Sequence, residues 1–163
     1  MRFDLYNNSI ISINRRPQAI AIVKGNTNYK GINGTVQFYP KKSGVLVISQ
    51  IFGLPKGTNK CDSPIFAFHI HSGVSCTGNE EDPFADSKGH LNLNNCPHPY
   101  HTGDMSPLFG CNGYAFSVFF TDRFTIKEII GKTVIIHSGP DDFTSQPSGN
   151  SGTKIACGII ETR

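Results

Sequence analysis

Apolar and polar residues along this chain fall into short runs, each of strand length or less. QAIAIVKG (18–25) opens the patterned region with an apolar stretch. GTVQFYP (34–40) and GVLVISQIF (44–52) are rich in β-branched and aromatic residues. Only Lys41, Lys42 and Ser43 separate them, which predicts a hairpin. SPIFAFHIH (63–71) alternates with period two, setting Ala67, His69 and His71 on one strand face and Phe66, Phe68 and Ile70 on the other. The pattern then lapses over residues 72–112, a stretch of Gly, Pro, Asn, Asp, His and Cys long enough to imply a function. Strand character returns in GYAFSVFF (113–120), KTVIIH (132–137) and KIACGIIE (154–161). Between the first two, TIKEIIGK (125–132) predicts a short helix, with Thr125 as N-cap and Gly131 as stop. A second irregular stretch, residues 138–152, precedes the last strand.

These elements predict an all-β fold: an eight-stranded Greek-key sandwich or barrel with two long loops and one short helix. A polar arm (1–17) precedes one domain (18–163). The composition agrees, with 17 Gly, 10 Pro and 12 Phe among 163 residues. No apolar run approaches the roughly 18–20 residues of a membrane span. The N-terminal stretch breaks its Ile residues with Asn and Ser, so it does not read as a secretory signal, and a cytoplasmic location is the default expectation. A net charge of +3, without a dense Lys/Arg patch, argues against a nucleic-acid partner. It is compatible with a small anionic substrate.

Histidine carries the sharpest chemical signal. All six (His69, His71, His90, His98, His101 and His137) lie in or at the edges of the two long loops. The period-two spacing of His69 and His71 lets one cation take two nitrogens from one strand face without distorting the backbone. His98, His101 and Asp104 sit at spacing three in a segment broken by Pro97, Pro99 and Gly103, which a loop can wrap around a small ion. Two imidazoles and a carboxylate suit zinc. The nitrogen-rich remainder suits copper. Two four-coordinate ions sharing one ligand need seven donors, and six His with Asp104 supply seven.

FAFHIHSGVSC, GHLN, HPYHTGD, VIIHSGPDDF and GNSGTKIACG together resemble, in order, the metal-site segments of the copper/zinc superoxide dismutases. The resemblance spans residues 18 to 161, and the short loops look more like Gram-positive bacterial members than animal ones. It implies that His69, His71, His90 and His137 bind copper, and that His90, His98, His101 and Asp104 bind zinc, with His90 bridging. It implies that Asp141 fixes two ligand tautomers from behind the ligands, and that Cys76 and Cys157 form a disulfide. It further implies a substrate, superoxide, which copper turns over by redox cycling beside a structural zinc. His90 then acts catalytically as a proton carrier. Lys154 stands where the family carries a channel arginine and so acts as the catalytic cation. The family dimerises through different surfaces in different branches, so a homodimer is expected without a located interface.

Lys154 departs from the family by replacing a planar fork with a point charge. Glu80, Glu81, Asp82 and Asp86 add negative charge between Cys76 and His90; near the channel mouth they would repel superoxide, but the reading favoured from sequence is a solvated loop face. Cys61 and Cys96 flank the loop and suggest a second disulfide, leaving Cys111 unpaired. The rival function is a non-catalytic copper/zinc-binding protein of the same fold, either a copper carrier or a zinc-stabilised module. A zinc hydrolase is disfavoured, since four donors would saturate the zinc.

Overall fold

Among the described residues, 16–59 and 64–163 of a computed structural model, nine strands form. They are β1 (Ala19–Gly25), β2 (Asn33–Lys41), β3 (Gly44–Phe52), β4 (Ile65–Phe66), β5 (Phe68–His71), β6 (Leu108–Phe109), β7 (Tyr114–Thr121), β8 (Thr133–His137) and β9 (Lys154–Thr162). Seven make one antiparallel sheet in the order β5-β8-β9-β1-β2-β3-β7, and β4 pairs with β6. The chain crosses between distant parts of this sheet three times, after β3, after β5 and after β7, which gives the Greek-key character. The expected arm over 1–17 lies almost wholly outside the described residues.

The ninth strand comes from a break that the alternation hid. Strand 63–71 divides at Ala67: Ile65 and Phe66 pair with β6, and Phe68 to His71 pair with β8. Ala67 bridges the two by donating to Gly139 O at 2.8 Å and accepting from His137 N at 3.0 Å. Both faces of β5 are buried, so its histidines do not face open solvent.

One apolar cluster joins residues of β1, β2, β3, β5, β8 and β9, so the sheet curls around a shared interior. Phe38 packs edge-on against Phe124 with ring centroids 6.3 Å apart. Helix α1 (Ile126–Ile129) is a single turn that contributes Ile126 and Ile129 to this core. The Glu128 carboxylate accepts from the Thr125 amide at 2.7 Å, and Gly131 ends the turn with φ of 76°.

The Cys76–Cys157 disulfide closes a separation of 81 residues and pins the first loop to β9, with Cα atoms 5.7 Å apart. Cys111 is exposed and unbridged. Cys96 is half-buried and joined to no described cysteine, and Cys61 lies outside the described residues. Phe38→Ala should lower unfolding free energy by about 3–5 kcal/mol, measured by denaturant titration, because a fully buried ring leaves a cavity.

Candidate metal centre

β5 has β8 along one edge, and the first loop completes the other. Ile70 donates its amide to Gly103 O and accepts from Leu91 N, both at 2.8 Å. Ser72 N donates to Gly89 O at 2.8 Å, and Gly103 N donates to Leu91 O at 2.8 Å. These backbone bonds set His71 opposite His90 and His69 opposite Asp104. A Cβ on Gly103 would collide with the Ile70 carbonyl oxygen, so this close approach requires glycine. On the far side, the β8–β9 register shifts between Ile136 and His137, which places His137 opposite Lys154.

The six imidazoles converge from these elements. The rings of His69 and His90 are tilted by 36° with centroids 3.9 Å apart, and His98 and His101 lie 5.5 Å apart. Candidate ligand atoms of His69, His71, His90 and His137 all lie within 4.8 Å of one another, as do those of His90, His98, His101 and Asp104. His90 belongs to both groups. Every histidine and aspartate anticipated for the two ion sites is therefore brought into one cluster.

Hydrogen bonds fix which nitrogens stay available. His71 Nδ1 donates to Lys88 O at 2.7 Å, and His137 Nδ1 donates to Gly152 O at 3.3 Å. Both Nε2 atoms therefore carry lone pairs, yet they face each other at 3.3 Å. Asp141 accepts from His69 Nε2 at 2.8 Å and His98 Nε2 at 2.9 Å. That frees Nδ1 of both rings as acceptors. His90 Nδ1 donates to Asp104 Oδ1 at 2.7 Å. His69 Nδ1, His90 Nε2 and His98 Nδ1 are buried without a hydrogen-bond partner. Leaving such groups unmet costs about 1–3 kcal/mol each. Opposed lone pairs and orphaned nitrogens fit cations, and the mixed imidazole–carboxylate set fits zinc and copper.

Burial keeps His71 and His137 neutral, and hydrogen bonds keep Asp141 charged. Burial, together with the neighbouring rings, pushes His71 well below its usual 6.5 and His137 from 6.5 down to about 3. For Asp141, burial acts upward. Hydrogen bonds from His69, the Phe143 amide and His98 outweigh it and bring the carboxyl to about 2. Neutral imidazole and ionised carboxylate are the ligand forms that metals require.

A cavity of about 970 Å³ reaches His71, His90, His101 and His137. Lys154 lines it, but its ammonium donates to Asp82 Oδ2 at 2.7 Å and Phe84 O at 3.1 Å. Glu80, Glu81 and Asp82 line the same cavity, and Glu80 and Glu81 are at the same time exposed, so this part of the acidic run is a solvated face set at the cavity wall. The local pattern could not show this, because Phe84, buried against Ile135, Cys157 and Cys76, draws the segment inward.

Arg123 is a residue the sequence reading missed. It donates to Pro99 O at 2.7 Å and His101 O at 3.4 Å, clamping the loop that carries His98 and His101. A lone Arg after a strand gives no local signal for that role. Gly149 likewise lies so close that a Cβ would strike the Asp141 carboxylate and come within 2.7 Å of His98 Nε2.

The neutral rings have a measurable consequence. In the unfolded chain these histidines protonate near 6.5, whereas His71 and His137 resist protonation in the fold. Below that pH the unfolded state binds more protons. Stability of the metal-free protein should therefore fall as pH drops from about 6.5 towards 3. Thermal unfolding across this range, with chelator present, checks the slope.

The family model described as copper/zinc superoxide dismutase matches residues 32–160. A superoxide dismutase [Cu-Zn] from Aquifex aeolicus is 33% identical over 144 residues, covering 78% of each chain. One from Photobacterium leiognathi is 30% identical over 142 residues, again covering 78% of each. Among solved structures, the Cu/Zn superoxide dismutase from Brucella abortus superposes with a TM-score of 0.74 at 22% identity, covering 88% of this chain and 99% of that one. A double mutant of a SOD-like protein from Bacillus subtilis gives 0.72 at 26% identity, covering 87% and 96%. With the match spanning most of the sequence and the histidine cluster inside it, this chain belongs to the copper/zinc superoxide dismutase family.

Proposed function

We propose that the protein converts superoxide to dioxygen and hydrogen peroxide at this cluster. His69, His71, His90 and His137 would hold copper, and His90, His98, His101 and Asp104 would hold zinc. The observation that carries this reading is His90's place in both four-residue groups, with one of its nitrogens bonded to Asp104 and the other buried and unpartnered. Copper, when bound, supplies one-electron redox chemistry between two oxidation states, and zinc supplies fixed charge without redox chemistry.

The chain's own residues do the rest. Asp141 holds His69 and His98 in a single tautomer, so one carboxylate orients a ring in each group. The Lys88 and Gly152 carbonyls do the same for His71 and His137. His90 can hold a proton at Nε2, where no protein group competes for it, and pass it to a peroxide oxygen. Lys154 places an ammonium on the cavity wall, its charge partly offset by Asp82.

The rival reading, a metal carrier, requires the same cluster without turnover. Metal analysis should return one copper and one zinc per chain, and loaded protein should accelerate superoxide decay followed at its ultraviolet absorbance. A fully loaded sample without activity would hand the case to the carrier. Lys154→Arg should raise the rate constant for superoxide decay, because the guanidinium fork can keep Asp82 and Phe84 O and still present N–H groups to the cavity. An equal or slower rate would refute that role.

A further inference from the structure

Five charged side chains line the cavity over the histidine cluster: Glu80, Glu81 and Asp82 against Lys88 and Lys154. Three carboxylates against two ammonium groups leave the wall with one excess negative charge. Asn26, Asn28, Tyr29, Ser148 and Thr153, which also line the cavity, carry no charge to offset it. We propose that the segment 80–82 is an electrostatic brake on anion access: Asp82 neutralises Lys154, while Glu80 and Glu81 add repulsion at the same wall. This rests on the reading that a small anion reaches the cluster through this cavity.

The segment is built to stay there. Asp82 Oδ1 accepts from Phe84 N at 3.0 Å while its Oδ2 holds Lys154, so the carboxylate is fixed at both oxygens. Asn79 Oδ1 accepts from Glu81 N at 3.0 Å and Asp82 N at 2.9 Å, closing the turn from the other side. Phe84 is buried beside the Cys76–Cys157 bridge, which anchors the segment to β9, the strand that carries Lys154. The Asp82 carboxylate is thereby held at the cavity wall, and the turn keeps the exposed Glu80 and Glu81 beside it. Low-dielectric walls focus such fields into the cleft. Bound metal ions add positive charge at the cavity floor, but that contribution is common to every variant compared below.

The test compares copper- and zinc-loaded wild type with Glu80→Gln/Glu81→Gln and with Asp82→Asn. Asparagine removes the charge and one of the two acceptor oxygens, so the Glu80/Glu81 variant isolates the effect of charge alone. Azide affinity, read from the absorption change of the loaded protein, should rise about threefold in each variant at low ionic strength. The gain should vanish near 1 M salt, where the screening length is about 3 Å. The rate constant for superoxide decay should follow the same pattern. Unchanged or weakened azide binding in the Glu80/Glu81 variant at low salt would overturn the brake. Those two side chains are exposed, so their replacement leaves folding intact. Azide binding answers this question even in a sample that fails to consume superoxide, so the brake and the enzymatic reading fail separately.

Discussion

The metal centre depends on the completion of one strand edge. β5 is four residues long, and one side of it pairs with β8. Its other side would be an open row of amides and carbonyls if the first loop did not dock there through Ile70, Gly103 and Leu91. That docking is made of backbone bonds, and at Gly103 it requires the absence of a side chain. Its result is geometric: a strand that presents His69 and His71 is zipped to segments that present His90 and Asp104. Without it, the two four-residue groups have no common framework.

Burial of this cluster is destabilising by itself. Six imidazoles and two carboxylates sit where water is scarce, with three ring nitrogens unmet and two lone pairs opposed at 3.3 Å. Such an arrangement is tolerated because the hydrophobic interior, the disulfide and the backbone docking stabilise the scaffold independently. The strain is locked into a form that cations relieve, which is how a fold selects for its ions. Hydrogen bonds to Asp141 and to two backbone carbonyls decide in advance which nitrogen each ring can offer.

The cavity wall shows a second balance. Lys154 pairs with His137 at the β-bulge and lines the cavity, yet its charge is spent on a carboxylate from the acidic segment. Position and field are therefore set by different parts of the chain: β9 supplies the cation and the loop after Cys76 sets how much of its charge an approaching anion meets.

By itself, the sequence determined what local periodicity and residue chemistry can carry. The long strands, the single-turn helix between Thr125 and Gly131, the paired spacing of His69 and His71, and the His98–His101–Asp104 run were all legible, because neighbouring residues impose them on one another. The break at Ala67, the two-residue β4 and β6, the bulge before His137, Arg123's grip on Pro99 and His101, and the Asp82–Lys154 pair at the cavity wall were not. Each is a contact between segments far apart in the chain, made largely by backbone groups common to all residues. Such contacts leave no mark on the local pattern, and only the packed fold decides them.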